Sequence, residues 1–208
     1  MLSSEEQITL DTYNNIAPQW VSKNYVLDFW LEEYQIFHSY LSAGKIIDLG
    51  CGGGRDSVWF KKNGYDYVGV DISEGMLAEA HKRHPDTRFM QQSLYDLDFP
   101  KNSFDGFWSA CSFLHIPKER INVVLGNIKN ILKPGAVGFI SIKQGTKFVK
   151  KAWHESGRER FFAYYEQDEF AKILKDQGFD ILQTAIRSPE NSDQDETFLI
   201  FYVKLVTK

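Results

Sequence analysis

The 208 residues contain only two cysteines, Cys51 and Cys111, too few for the disulfide framework of a small secreted scaffold. No apolar stretch approaches the roughly 20 residues needed to cross a bilayer, and the opening Met1-Leu2-Ser3-Ser4-Glu5-Glu6 has neither the basic nor the apolar region of a signal peptide. Positive charge is not in excess: 24 Lys and Arg stand against 28 Asp and Glu, a net charge of −4. Such a chain repels nucleic-acid phosphates and anionic membrane surfaces as a whole. There are no internal repeats and no low-complexity tracts, and no His/Cys/Asp group has metal-ligand spacing, so no metal is expected. The expectation is a cytoplasmic protein with no nucleic-acid and no membrane partner, its oligomeric state left open.

What is present is enough apolar surface for one core: 43% hydrophobic and 15% aromatic residues. Residues 5–42 read as two helices separated by Pro18, the second carrying Val26, Trp30, Phe37 and Leu41 on one stripe. From Lys45 short apolar runs alternate with helical patterns: strands at 45–49, 66–70, 87–91, 104–109 and 136–142, and helices at 54–63, 74–84 and 118–132. Alternation of this kind predicts a mostly parallel sheet with helices on both faces. Residues 143–165 read as an irregular segment, 167–177 as a helix, and the runs 179–187 and 196–205 as an antiparallel hairpin around a solvated tip at 188–195. The expected fold is a single α/β domain: a helical N-terminal part at 1–44, a doubly wound core at 45–142, and a cap segment, helix and edge hairpin at 143–208.

The most informative segment is Asp48-Leu49-Gly50-Cys51-Gly52-Gly53-Gly54-Arg55. Glycines between a buried strand and a helix permit a tight turn and a close ligand approach. Asp71 ends the next strand about 20 residues on, the position from which a carboxylate accepts both hydroxyls of a ribose. A glycine turn alone is equally an ordinary strand-to-helix connection; with the strand-terminal acid it points to a nucleoside-bearing cofactor. A dinucleotide fingerprint requires a third glycine where Arg55 stands, and no Gly-Lys-Ser/Thr follows for a P-loop. An acid such as Asp48 beside the loop suits a ligand end of positive charge.

Four segments in order resemble the motifs of the class I, seven-stranded Rossmann-like methyltransferases that use S-adenosylmethionine, in particular their small-molecule and tellurite-resistance-like group. They are Asp48–Gly54, Gly69-Val70-Asp71-Ile72-Ser73, Pro100-Lys101-Asn102-Ser103-Phe104-Asp105-Gly106-Phe107, and Leu132-Lys133-Pro134-Gly135-Ala136. The resemblance implies a seven-stranded sheet, an N-terminal lid and methyl transfer to a small-molecule acceptor. It places Gly50, Cys51, Gly52 and Gly54 along the methionine part, Asp71 on the ribose, Ile72 and Met76 on the adenine, and Tyr13 and Trp20 in the lid. It also assigns Asp48, Leu94 and Ser109 to the cofactor site. For Met76 and Trp20 simple packing is an equal alternative. One departure stands at Ser93, where the family usually carries an acid toward the adenine amino group; a hydroxyl accepts more weakly than a carboxylate.

No catalytic residue is named by the sequence, because transfer from a sulfonium needs positioning rather than a protein nucleophile. After the strand at 104–109, Ser109-Ala110-Cys111-Ser112-Phe113-Leu114-His115 lacks both the Asp/Asn-Pro-Pro-aromatic run of base-amino methylating enzymes and the Pro-Cys pair of cytosine-ring enzymes. His115 reads first as a packing and hydrogen-bonding residue and second as a general base. The stretch 143–160 holds Lys143, Lys147, Lys150, Lys151, Arg158 and Arg160 against Glu155 and Glu159, a solvated loop or a cap suited to an anionic substrate. Tyr164 and Tyr165 line an acceptor pocket or pack on the sheet edge, and both cysteines read as small buried residues. Two other functions fit the same loop: an NAD-type oxidoreductase, and a non-catalytic module binding S-adenosylmethionine or S-adenosylhomocysteine.

Overall fold

The computed structural model describes residues 1–146, the backbone of 148–152, and residues 157–188 and 197–206. The expected alternation is there. Strands β1 (Lys45–Leu49), β2 (Asp66–Asp71), β3 (Arg88–Gln91), β4 (Phe104–Ala110) and β5 (Leu132–Gln144) lie parallel in the order β3-β2-β1-β4-β5. Helices α3 (Ser57–Lys62), α4 (Glu74–Arg83) and α5 (Ile121–Ile131) connect them. The strand order reverses beside β1, so a crevice opens at the carboxyl ends of β1 and β4, where sheets of this kind take their ligands.

Residue alternation along each strand divides the core between two faces. Ile47, Leu49, Val68, Val70, Ile140 and Ile142 pack with Ile121, Val124, Leu125 and Ile128 of α5 and with Phe170 and Leu174 of α6 (Gln167–Asp176). Ile46, Tyr67, Trp108 and Phe139 face Trp30, Tyr34 and Phe37 of the N-terminal region and Phe60 of α3. There Trp108 stacks on Phe139 with ring centroids 3.7 Å apart and meets Phe37 and Phe60 edge-on, contacts that add to simple area burial.

Three sequence expectations are corrected. Pro18 does not divide two helices: α1 runs unbroken from Ser4 to Asn24, and α2 (Leu31–Tyr40) begins only after a turn that buries Trp30 and exposes Val26. Pro18 is tolerated because α1 is held by tertiary contacts along its length. Its capping box at Ser3 and Glu6 fixes the start, Thr9 and Thr12 bond β7 (Glu159–Tyr165), and Asn14 bonds the N-terminus of α4.

The described residues of 143–165 are largely regular. They contain β6 (Phe148–Ala152) and β7, an antiparallel pair that enlarges the expected seven strands to nine. The cause lies in β5, which continues past Ser141, the last residue paired with β4. At Lys143 one edge of β5 is taken by β9 (Phe198–Leu205). The other edge, freed where β4 stops, is taken by Tyr164 and Tyr165 of β7. β7 therefore stands above the carboxyl end of β4. The C-terminal hairpin is as expected, with β9 antiparallel to β5 and to β8 (Phe179–Arg187); Lys147 and the hairpin tip beyond Ser188 lie outside the described residues.

Candidate active site

A cavity of about 600 Å³ opens at the crevice and is walled by α1, the glycine loop, the ends of β2 and β4, and β7. The loop reaches its shape through left-handed backbone at Gly50, Gly52 and Gly54, with φ of 78°, 52° and 76°. Space is as restrictive as φ at Gly50, where an added Cβ would lie 2.2 Å from Ser112 Oγ. Four of the loop's N–H groups are used inside the protein. Gly50 and Cys51 both donate to the Val70 carbonyl, Gly52 donates to Asp71 Oδ2 at 2.8 Å, and Gly54 donates to the Cys51 carbonyl. A pyrophosphate-binding loop turns such donors outward; here the cavity meets Asp71 and Asp56 instead.

Asp71 receives N–H donors on both carboxylate oxygens, from Gly52 and from Ser73 at 2.9 Å. Burial raises its carboxyl above the usual aspartate range against the pull of those donors. Its orientation is thus fixed from behind, leaving the outer lone pairs toward the cavity. Asn14 Oδ1 accepts from Ser73 Oγ at 2.7 Å and from Gly75 N at 3.1 Å, which fastens α1 over the same corner. Ser93 sits in the turn after β3, where its hydroxyl accepts from Tyr95 N at 3.2 Å. Asp96 closes that turn from the exposed side and is not part of the cavity wall.

A buried acidic network lies under the loop. Asp56 accepts from Tyr34 Oη (2.7 Å), Trp108 Nε1 (2.9 Å) and Arg55 Nε (2.5 Å), so Arg55 turns back to its neighbour. Asp48 accepts from Tyr67 Oη; burial first, and then the Asp56 carboxylate, push its carboxyl well above the usual value. Burial likewise raises both thiols, Cys51 well above its ordinary value and Cys111 above it as well.

At the far wall His115 Nδ1 lies 2.7 Å from the Phe161 carbonyl, an acceptor only, so Nδ1 carries the proton. Nε2 is then the acceptor for the Tyr13 hydroxyl at 3.0 Å, and Arg160 Nη1 donates to the same hydroxyl at 3.1 Å. Burial, with Arg160 and Lys143 nearby, lowers the His115 pKa to about 3. The imidazole is neutral with its one lone pair occupied, a positioning arrangement rather than a poised base.

Of the residues assigned to the cofactor from sequence, Tyr13, Trp20, Gly50, Cys51, Gly52, Asp71, Ile72, Met76, Ser93 and Leu94 all line this one cavity. Asp48, Gly54 and Ser109 do not. Asp48 points to Tyr67 in the core, a Cβ on Gly54 would meet Phe89 at 2.6 Å, and Ser109 is fully buried with its hydroxyl unpartnered among the described residues. The sequence offers Arg160 only as one cation of a basic stretch read as a solvated loop or a cap, and gives Phe162 no role. Their signal was the alternation Arg160-Phe161-Phe162-Ala163-Tyr164-Tyr165, which sends Arg160 and Phe162 to the cavity and Phe161, Ala163 and Tyr165 to the core.

The fold and the pocket together define a doubly wound α/β protein with a braced carboxylate, Asp71, at the end of β2 in its cavity. Residues 46–135 match the family described as a methyltransferase domain, and the chain has the fold of solved S-adenosylmethionine-dependent methyltransferases, among them one from Methanosarcina mazei with a TM-score of 0.76 and 18% identity over 84% of this chain and 99% of that one. It is 28% identical over 180 residues to a demethylmenaquinone methyltransferase of Symbiobacterium thermophilum, covering 78% of this chain and 67% of that protein. It is 28% identical over 93 residues to an uncharacterized methyltransferase of Synechocystis, covering 45% and 44% of the two chains. This chain therefore spans about half the length of several curated relatives that it matches. Among solved structures it resembles the Burkholderia thailandensis 1,6-didemethyltoxoflavin-N1-methyltransferase with bound 1,6-didemethyltoxoflavin and S-adenosylhomocysteine. That match has a TM-score of 0.79 and 19% identity over 100% of this chain and 92% of that one.

Proposed function

We propose that the protein transfers the methyl group of S-adenosylmethionine to a small-molecule acceptor within this cavity. The observation that carries the reading is the Asp71 carboxylate, braced by Gly52 and Ser73 at the end of β2 beside a loop four of whose N–H groups are internally satisfied. That loop fits a cofactor with a cationic sulfonium and ammonium end and disfavours the pyrophosphate of NAD. The names of two similar proteins, acting on demethylmenaquinone and on 1,6-didemethyltoxoflavin, support an acceptor of small size. Two free cysteines fit a reducing compartment such as the cytoplasm.

The bound cofactor supplies an electrophilic methyl on sulfur, which a nucleophile displaces in line as sulfur takes back the bonding electron pair. In this reading Asp71 holds the ribose diol, Ile72 and Met76 flank the adenine, and the turn at Ser93 and Leu94 meets its edge. Residues 1–44 act as a lid, with Tyr13 and Trp20 closing one side and excluding water, which strengthens every polar contact inside. Residues 45–142 supply the cofactor half of the site and 143–208 its acceptor half, within one domain. His115 fixes Tyr13 and leaves proton removal to the acceptor's own acidity.

Calorimetric titration with S-adenosylhomocysteine, and with NAD in parallel, tests this. Micromolar binding of the former, weakened by about 2–4 kcal/mol in Asp71→Ala through loss of charge-assisted hydrogen bonds, is expected. Binding of NAD alone, or an unchanged affinity in the variant, overturns it. Turnover with an acceptor separates the enzyme from a module that only binds the cofactor.

A further inference from the structure

We infer that the acceptor is a small aromatic anion whose carboxylate-type group is received by Arg160; this rests on the methyltransferase reading above and narrows it to a substrate class.

Arg160 is 8% exposed, yet it lines the cavity. Its guanidinium lies over the rings of Trp20 at 4.5 Å, Phe162 at 5.2 Å and Tyr13 at 5.5 Å. Its one hydrogen bond among the described residues runs from Nη1 to the Tyr13 hydroxyl, and its buried Nε finds no acceptor there. A guanidinium cannot shed its proton, so burying it without an anion costs several kcal/mol unless something offsets the charge. The ring faces offset a part of that cost.

The carboxylates that share the cavity are engaged elsewhere. Asp56 is bonded by Arg55, Tyr34 and Trp108; Asp71 by Gly52 and Ser73; Glu6 by Arg120 and Tyr95. Lys143, in the same wall, stands 4.1 Å over the Phe162 ring and adds a second positive charge. Cations framed by aromatic rings suit a flat ligand carrying a negative group: the rings take its face and the guanidinium takes its charge.

The alternative source of a carboxylate is the cofactor's own amino-acid end, and the test separates the two. Full-length protein saturated with S-adenosylhomocysteine is titrated with benzoate, 4-hydroxybenzoate and indole-3-acetate, each beside its neutral amide. At least one carboxylate is expected to bind tenfold or more tightly than its amide. In Arg160→Met that preference is lost while the S-adenosylhomocysteine Kd stays within twofold, and in Arg160→Lys it is partly retained, which shows that charge and not folding is at issue. The absence of any carboxylate preference in the wild type overturns the proposal. So does an Arg160→Met variant that loses S-adenosylhomocysteine affinity while keeping the preference, which would place Arg160 on the cofactor. Failure of the wild type to bind S-adenosylhomocysteine defeats the underlying methyltransferase reading instead.

Discussion

Tyr13 donates its hydroxyl hydrogen to His115 Nε2 at 3.0 Å, tying the middle of α1 to the loop that follows β4. The bond joins residues 102 apart in the chain and exists only while the imidazole is neutral. Phe161 holds the other nitrogen, and Thr9 and Thr12 fasten the same helix to β7. Helix, loop and strand form one brace across the cavity mouth.

That brace sets a pH dependence of stability. The His115 pKa falls from 6.5 unfolded to about 3 folded, so below pH 6.5 the unfolded chain binds a proton that the native state refuses. Stability is fully present above pH 6.5, declines as pH falls from there toward 3, and levels off once the folded form also protonates. Because the ring is only half-buried, the loss at pH 5 is about 1 kcal/mol. Thermal melts from pH 7.5 to 4.5 should show a steeper fall for wild type than for His115→Gln; parallel curves would refute the assignment.

Ser93→Asp is expected to tighten S-adenosylhomocysteine binding by about 1 kcal/mol, because a carboxylate in the cavity wall accepts more strongly than a hydroxyl. The turn survives the change, since Asp makes the same local bond to a backbone N–H that Ser93 makes to Tyr95. Calorimetry showing no gain would place Ser93 away from the adenine amino group.

Gly50→Ala should lower stability by about 1–3 kcal/mol, combining a left-handed φ with overpacking against Ser112. Gly64→Ala is the control: its φ of 83° is as restrictive, but a Cβ there meets nothing within 4 Å. Urea unfolding that ranks the two variants equally would show that backbone strain alone matters and that the contact with Ser112 does not.

The parallel core and the glycine-loop corner of the cavity were legible because their determinants are local in sequence. A glycine loop, a strand-terminal Asp71 and an amphipathic α5 each declare themselves within a short window. Asp48 was misplaced because adjacent strand residues face opposite sides of the sheet, and only the Tyr67 hydroxyl across on β2 shows which side it takes. Pro18 was read as a break because local propensity argues so; the bonds from Thr9, Thr12 and Asn14 that override it reach β7 and α4. Arg160 is legible in sequence only as one cation of a basic stretch, because its seat in the cavity wall depends on β5 outrunning β4, a length difference visible only once the strands are paired.

The inward turn of the glycine loop has a consequence inside a living cell, where free adenine nucleotides abound. ATP and its relatives share the adenosine half of S-adenosylmethionine and, in the function proposed above, would compete for Asp71. Their phosphates, however, would arrive at a rim whose Gly50, Cys51, Gly52 and Gly54 hydrogens are already committed and whose nearest side chains include Asp56 and Asp71. Discrimination against the most abundant competitors thus rests in part on hydrogen bonds of the main chain, three accepted by carbonyls and one, from Gly52, by the Asp71 carboxylate.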